Sequence, residues 1–337
     1  MSASLKNSYL AFIERRHHGL IGRVGFLFLV FLSYVYAAAL ALINFCYDKN
    51  ILFIHRLAKP VISLGNISWG GSGKSTLVLK LYQCLKGDFN VAILRRGYGE
   101  DEGAMLEHQA GNIHTGKDRA ALARALEGRY DCFFLDDGFQ HRKLFRDCNI
   151  VVMAAREFNH AFYLIPAYIF REPLSSLKRA DLVVINYKSE LKSVLDTKIA
   201  IEKYTRAPVF FADYKMTIIK DLAGRIYPLQ DIVRLKVAAV TAIGYPQGFF
   251  NKLRVYGAED FEEIVYPDHH ELSVDEAQQL SILLAKKAIT HIIITMKDRN
   301  RFDGLAANIT VLVAEIEMII DNEEDFMRRV RSFIKKS

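Results

Sequence analysis

The sequence is poor in the residues that mark several protein classes. Its 337 residues include four cysteines, seven prolines and one tryptophan. The cysteines form no C-x-x-C pair, and three of them lie in apolar runs, so we expect reduced thiols in a cytosolic compartment. There is no low-complexity tract and no repeat of solenoid period. Disordered, collagen-like, coiled-coil and disulfide-stapled chains are thereby excluded.

Basic residues are in modest excess, with a formal net charge of +7. Such a balance suits a partner that carries phosphates, which includes nucleotides, nucleic acids and anionic membrane surfaces. No recognised nucleic-acid-binding motif occurs, so we expect no nucleic-acid partner. No protein partner is implied either.

A long apolar segment lies near the N-terminus. Residues 24 to 46 contain no charged side chain, which is enough for a helix to cross a bilayer. A cleaved signal peptide fits less well, because the run is longer than the usual apolar core of such peptides. Basic residues flank both ends and leave the orientation open. A spanning helix and a helix lying in the membrane interface are therefore both open.

From residue 60 onward, short β-branched runs alternate with helical periodicity, which is typical of parallel α/β folds. We predict a P-loop-type parallel-sheet domain at residues 60–205 and a second, smaller α/β lobe at 236–337. A β-hairpin at 206–235 joins them, and a membrane-associated helical segment occupies 1–59.

A glycine-rich turn follows the first predicted strand and precedes a predicted helix, as a P-loop requires. Its residues are Gly70, Gly71, Ser72, Gly73, Lys74, Ser75 and Thr76. Backbone N–H groups of such a turn point at phosphate oxygens, while the lysine reaches the terminal phosphates and the serine hydroxyl can hold Mg²⁺. The full P-loop pattern has glycine where this chain has Ser68. We predict ATP and Mg²⁺ as ligands.

Two carboxylates, Asp136 and Asp137, end an apolar strand. P-loop proteins place an acid beside the metal in this way. Because adjacent strand residues point to opposite faces, at most one of the two should face the nucleotide.

Seven motifs follow one another between about residues 60 and 298: SLGNISWGGSGKS, LRRGYG, DDGFQHRKLFRD, LIPAYIFREPLSSLKRADLVVIN, AIGYPQGFF, YPDHH and TMKD. In their order and approximate spacing they resemble the tetraacyldisaccharide 4'-kinase family, membrane-associated enzymes of lipid A synthesis in Gram-negative bacteria. The resemblance implies transfer of the ATP γ-phosphoryl group to the 4'-hydroxyl of an acylated glucosamine disaccharide 1-phosphate. It also implies membrane lipid as a partner and a location on the cytoplasmic face of the inner membrane.

Site roles follow from the same resemblance. Lys74 and Ser75 would bind ATP and Mg²⁺, with Asp137 and Asp136 in the metal shell. Asp101 would be the base that accepts the sugar proton, and His269 would orient it. The substrate-binding candidates are His141, Arg142, Arg171 and Glu172.

The chain departs from the family pattern at three places. The segment between Gly99 and Asp101 is short, which leaves Glu100 and Glu102 as alternative bases. Thr76 stands where the family has proline, and Met296 where it has glutamate.

A membrane-tethered P-loop NTPase with an assembly or regulatory role is the alternative function. A guanine-specific protein would carry N-K-x-D after a strand, and the segment Asn186–Ser189 does not match it.

Overall fold

In a computed structural model of the chain, the described residues are 19–69, 72–97, 110–159, 162–187, 194–232, 235–258, 260–267, 270–299, 301–302, 305 and 308–335. By contacts the chain divides into two compact units, one formed by residues 1–213 and 319–337 and the other by 214–318. The sequence interpretation grouped the last helix with the second lobe, whereas its contacts group it with the first unit.

The first unit is an α/β layer structure preceded by a long helix. Its helices are α1 (Gly19–Asp48), α2 (Lys74–Leu85), α3 (Arg119–Leu126), α4 (Val194–Glu202) and α8 (Glu323–Lys335). Its strands are β1 (Val61–Gly65), β2 (Val91–Arg95), β3 (Ile113–Thr115), β4 (Cys132–Asp136), β5 (Cys148–Ala154), β6 (Leu182–Asn186) and the first part of β7 (Val209–Asp221).

The sheet of the first unit is parallel, in the order β3-β2-β4-β1-β5-β6-β7. Every residue of β1, β2, β5 and β6 is buried. Strands covered on both faces read as continuous apolar runs, which is why these segments carry so few polar residues. The predicted parallel α/β fold is confirmed for this unit. β3 and α4 had not been predicted from the sequence.

The second unit contains α5 (Leu229–Ile232), α6 (Pro246–Val255), α7 (Val274–Lys286), β8 (Ile226–Tyr227), β9 (Val237–Thr241), β10 (Phe261–Val265), β11 (His291–Thr295) and most of β12 (Thr310–Ile320). Its strand order is β10-β9-β11-β12-β7, with β8 antiparallel to β7. The predicted hairpin is thus present, with Gly224 in the left-handed conformation at its turn. Its second arm is short, because α5 begins at Leu229.

Helix α8 closes the first unit. It buries Phe326, Val330 and Ile334, and the Phe326 ring contacts that of Phe210 edge-on at 5.1 Å. Glu323 at its N-terminus pairs with Lys80 of α2 at 2.9 Å. The apolar side of this helix is therefore used within the protein, as in most α/β folds.

The four cysteines are all free thiols. Cys132 and Cys148 are buried, whereas Cys84 is exposed. Burial raises the pKa of the Cys132 thiol to about 12. The two buried thiols therefore behave as apolar core groups.

Candidate active site

The P-loop serine and lysine lie at the carboxyl end of β1, the central strand of the first unit. α2 begins at Lys74, and Gly73 before it adopts the left-handed conformation with φ of 95°. The side chain of Ser75 is buried in the first turn of α2, whereas Thr76 is half-buried. The helix N-terminus and its free N–H groups favour an anion at this position. Gly70 and Gly71 lie outside the described residues.

Two asparagines donate hydrogen bonds to Ser72 of the P-loop. The Asn66 amide donates to the Ser72 hydroxyl at 3.2 Å, and the Asn186 amide donates to the Ser72 carbonyl at 3.1 Å. Asn66 follows β1 and Asn186 ends β6, so the ends of two strands that flank β5 fix the turn. Both residues are almost fully buried, and buried hydrogen bonds of this kind define one conformation.

The acid pair lies beside the P-loop because β4 is parallel and adjacent to β1, with Asp136 in register with Leu64. Asp137 comes after the strand, in the left-handed conformation with φ of 50°. Its carboxylate lies 3.5 Å from the Lys74 amino group. Asp136 instead pairs with Arg95 at 3.5 Å, with only 12% of its side chain exposed against 45% for Asp137. Asp137 is therefore the acid of the pair that borders the P-loop lysine.

Arg171 binds Asp137 in a bidentate manner. Its two terminal nitrogens donate to the two carboxylate oxygens at 2.9 and 2.8 Å, and one of them also donates to the Asn66 side chain. Burial would raise the pKa of Asp137, but the Arg171 hydrogen bonds and the charges of Lys74, Arg171 and Arg119 hold it well below its usual range. Asp137 is therefore ionised at neutral pH.

Glu172 lies in a separate buried pair next to Arg171. It accepts from Arg179 and, at 3.1 Å, from the Gln140 amide. Gln140 also donates to the Asn66 carbonyl at 2.8 Å, so it connects the P-loop entry with the segment that carries Arg171. Only 1% of Glu172 is exposed.

His141 is half-buried beside several cations. Burial and the nearby charges of Arg119 and Arg146 lower the pKa of His141 to about 4, so the imidazole is neutral at pH 7. Its Nε2 atom is buried and has no hydrogen-bond partner within the described part of the chain. A neutral imidazole offers one ring nitrogen as a donor and the other as an acceptor.

Arg142 does not project into open solvent. It donates to the Asn44 side chain at 3.0 Å and to Asp48 at 2.6 Å, both in the last turns of α1. The sequence motif that predicted a substrate-binding arginine therefore also anchors the N-terminal helix.

The proposed base and its partner, Asp101 and His269, lie outside the described residues, as do the alternatives Glu100 and Glu102. The structure places Lys74, Ser75, Asp136, Asp137, His141, Arg142, Arg171 and Glu172 in the first unit. The described residues contain no group of three or more His, Cys, Asp or Glu side chains that could hold a metal by themselves.

Three further residues of the site escaped the sequence analysis. Asn66 and Gln140 lie within the quoted motifs but carry no charge, so only their position beside charged neighbours could have indicated them. Arg119 is buried, and its guanidinium donates to the Asp136 and Asp137 carbonyls at 2.5 and 3.3 Å. Arg119 begins α3, 17 positions before Asp136 and outside the quoted motifs, so no spacing within a motif indicated it.

A parallel sheet with a strand, a left-handed glycine, a lysine at the helix start and a strand-end acid in the adjacent strand defines a P-loop nucleotide-binding protein. A family model described as tetraacyldisaccharide-1-P 4'-kinase matches residues 26–104 and 99–335. The chain belongs to this kinase family.

Individual relatives agree with the family assignment. A tetraacyldisaccharide 4'-kinase of Halothermothrix orenii is 28% identical over 99% of both chains. One of Aquifex aeolicus is 33% identical over 72% of this chain and 81% of its own length. A crystal structure of LpxK from Aquifex aeolicus in complex with ATP has a TM-score of 0.69 and 27% identity, covering 90% of this chain and 97% of that one. The fold therefore matches over nearly the whole length of both chains.

Proposed function

We propose that the chain transfers the γ-phosphoryl group of ATP to the 4'-hydroxyl of a tetraacyldisaccharide 1-phosphate. The observation that carries this proposal is the juxtaposition of Lys74, Asp137 and Arg171 at the N-terminus of α2. Two cations next to a helix N-terminus supply the positive potential that a triphosphate requires. Phosphoryl transfer depends mainly on such alignment and charge neutralisation.

Mg²⁺ fits the oxygen donors that the site offers. Ser75 provides a hydroxyl at the first turn of α2, and Asp137 and Asp136 provide carboxylates at the end of β4. Ser75, Asp137 and Asp136 would hold the ion, and each of the two carboxylates also has an arginine partner. When bound, the ion would offset charge on the phosphate oxygens.

The acceptor side follows the family resemblance. Asp101 would accept the proton of the 4'-hydroxyl, and His269 would fix the orientation of the carboxylate. Neutral His141 would hydrogen-bond the sugar, while Arg142, Arg171 and Glu172 would shape the substrate site next to α1. Two contacts support the placement of these arginines: Arg142 binds Asp48 of α1, and Arg171 binds Asp137 beside the P-loop.

The decisive experiment is incubation of the purified full chain with labelled ATP and a tetraacylated disaccharide 1-phosphate. We expect a product phosphorylated at the 4' position. Lys74→Ala should abolish product formation, whereas Lys86→Ala, which removes an exposed lysine after the same helix, should not. ATP hydrolysis without a lipid product would contradict the kinase and favour a regulatory NTPase.

A second variant addresses the base. Asp101→Ala should lower kcat while leaving ATP affinity nearly unchanged, because the carboxylate acts on the acceptor rather than on the nucleotide. Steady-state kinetics and equilibrium ATP binding measure the two quantities separately. Full activity of this variant would transfer the role to Glu100 or Glu102, to be examined in the same way.

For the membrane, we propose that α1 lies in the interface on the cytoplasmic side of the inner membrane. Residues 22–48 form a helix long and apolar enough to cross a bilayer, and only a small share of its most apolar stretch is buried. However, α1 contacts the rest of the first unit at several points along its length. The Phe26 ring meets that of Tyr163 at 6.0 Å, Leu29 and Tyr36 pack on the core, and Asp48 binds Arg142.

A spanning helix places about 20 residues inside the hydrocarbon layer, away from a water-exposed domain. The contacts of α1 leave no stretch of that length free of the protein. Its outward face is apolar, with the exposed side chains Val24, Leu27, Phe28, Phe31, Val35, Leu42 and Phe45. An interfacial helix buries such a face in lipid and keeps the opposite face on the protein.

Protease protection of a tag before residue 1 tests the topology. In spheroplasts with intact inner membranes, an interfacial helix leaves the tag inaccessible to external protease, and in inverted vesicles it leaves the tag accessible. The reverse pattern would contradict the interfacial arrangement and indicate a span.

A further inference from the structure

The apolar helix α1 contacts the segment that carries Arg171, the arginine that binds Asp137 through two hydrogen bonds. The Tyr36 hydroxyl donates to the main-chain carbonyl of Arg171 at 2.9 Å. We propose that Tyr36 is a positioning residue for phosphoryl transfer, which fixes the main chain from which the Arg171 guanidinium reaches Asp137. This inference rests on the proposed function, because phosphoryl transfer is its readout.

The main chain of Arg171 is held from two sides. Its N–H donates to the Ile67 carbonyl at 2.7 Å, and its carbonyl accepts from Tyr36 at 2.9 Å. Ile67 belongs to the entry of the P-loop, whereas Tyr36 belongs to α1. Arg171 is therefore attached by its backbone to both the nucleotide-binding turn and the N-terminal helix.

The guanidinium requires this precision because it makes a planar, forked contact. Its two terminal nitrogens bind the two oxygens of Asp137 at 2.9 and 2.8 Å, and one also binds Asn66. A fork of this kind tolerates little displacement. A shift of about 1 Å at a positioning group can cost about 10²-fold in rate, so loss of one backbone anchor should be visible in kcat.

Tyr36 is itself well fixed. With Leu29 and Ala37, it packs on the buried cluster that includes Ile67, Phe139 and Phe170. One turn earlier, Ser33 is only 4% exposed. Tyr36 therefore stands on the protein-facing side of α1, where lipid contact does not explain its hydroxyl.

A second set of contacts fixes the C-terminal end of α1 to the same segment. The Asn44 side chain accepts from Arg142 at 3.0 Å and from Arg179 at 3.4 Å. Arg179 also binds Glu172, the residue after Arg171. Membrane attachment alone would not require these polar contacts, since an entirely apolar helix would serve it as well.

The test removes one hydroxyl from the full chain. Tyr36→Phe should lower kcat about three- to tenfold, the effect of losing one hydrogen bond, with the KM for ATP and the partitioning into vesicles unchanged. Tyr34→Phe is the matched control, since Tyr34 lies on the same helix with 66% exposure. It should behave as the unmodified protein.

A double-mutant cycle separates positioning from a general structural role. Arg171→Ala should itself lower kcat by about 10²-fold. If Tyr36 acts through the Arg171 side chain, Tyr36→Phe in the Arg171→Ala background should change kcat by less than about twofold. The same loss in both backgrounds, a kcat of Tyr36→Phe within about twofold of the unmodified protein, or an equal loss in Tyr34→Phe would overturn the proposal. Failure of the proposed function is distinguishable, because the unmodified protein would then form no lipid product.

Discussion

Each of the two compact units places an aspartate just after a strand of its parallel sheet, and the two residues have opposite surroundings. In the first unit Asp137 follows β4, and in the second unit Asp298 follows β11. The Asp137 side chain is 45% exposed, whereas that of Asp298 is 0% exposed. Aspartates that follow a strand in the two units thus have different surroundings.

The partners of Asp298 among the described residues lie in its own unit. The hydroxyls of Thr241 and Thr295 each donate to it at 2.7 Å, the Ala242 N–H donates at 3.2 Å, and Arg301 pairs with it at 3.0 Å. These contacts join the ends of β9 and β11. A carboxylate so enclosed has no position left for a ligand.

Asp137 is accompanied by an excess of positive charge. Lys74 and Arg171 contact its carboxylate, and the charge of Arg119 also acts on it. One acid among several cations leaves a net positive field that is open to solvent. An anionic ligand can enter beside Asp137, whereas the enclosed pair of Asp298 and Arg301 leaves no room for one.

The same chemical change at both positions should therefore have opposite consequences. We expect Asp137→Asn to lower kcat at least about 10³-fold. Since the carboxylate is half exposed, the melting temperature should change little. Labelled-ATP kinetics and thermal unfolding test both statements, with Asp196→Asn on the exposed side of α4 as the matched control. Substantial turnover in Asp137→Asn would show that phosphoryl transfer does not need the Asp137 carboxylate.

Asp298→Asn should act on stability instead. Removal of one partner of a buried ion pair is strongly destabilising, so we expect the free energy of unfolding to fall by about 4 kcal/mol. Below the unfolding transition, kcat should stay within about threefold of the unmodified protein. Denaturant unfolding and kinetics at low temperature measure the two effects. If Asp298→Asn lost turnover without losing stability, Asp298 would belong to a functional site after all.

The elements that the sequence predicted are those formed by residues adjacent in the chain. The strand, glycine turn and helix around Lys74 are adjacent in the chain, and apolar runs indicated β1, β4, β5 and β6. Strand alternation led to the prediction that at most one of the two neighbouring acids faces the nucleotide. In the structure Asp137 borders Lys74 and Asp136 pairs with Arg95, and Asp137 lies beyond the strand in a left-handed turn, where strand alternation no longer applies.

Long-range contacts explain what the sequence did not predict. Arg171 reaches Asp137 across 34 positions, and Tyr36 reaches Arg171 across 135. Neither pair has a periodicity or spacing that could indicate it. β3 was missed for a different reason, because its three residues are only half-buried or exposed and so form no apolar run.

A third carboxylate, that of Glu157, is enclosed like Asp298 but has fewer hydrogen-bond partners among the described residues. Glu157 lies in the 3₁₀ turn after β5 and is 4% exposed. Its Oε1 accepts from the Ser68 hydroxyl at 2.7 Å, and its Oε2 has no hydrogen-bond partner among the residues that the structure describes. Burial raises the pKa of Glu157 to about 7, although the Ser68 bond and the charges of Arg156 and Lys74 oppose this.

The raised pKa of Glu157 gives stability a definite pH dependence. Between the pKa of an unfolded glutamate, about 4.3, and about 7, the folded chain binds more protons than the unfolded chain, so stability falls as pH rises through this window. Glu157→Gln stays neutral throughout. Relative to the unmodified protein, we expect this variant to gain at most about 3 kcal/mol between pH 5 and pH 8. Denaturant unfolding across that range measures the gain, with Glu202→Gln, whose side chain is 52% exposed, as the control. Stability curves of Glu157→Gln and the unmodified protein that run parallel with pH would show that Glu157 is ionised in the fold and fully compensated, like Asp298.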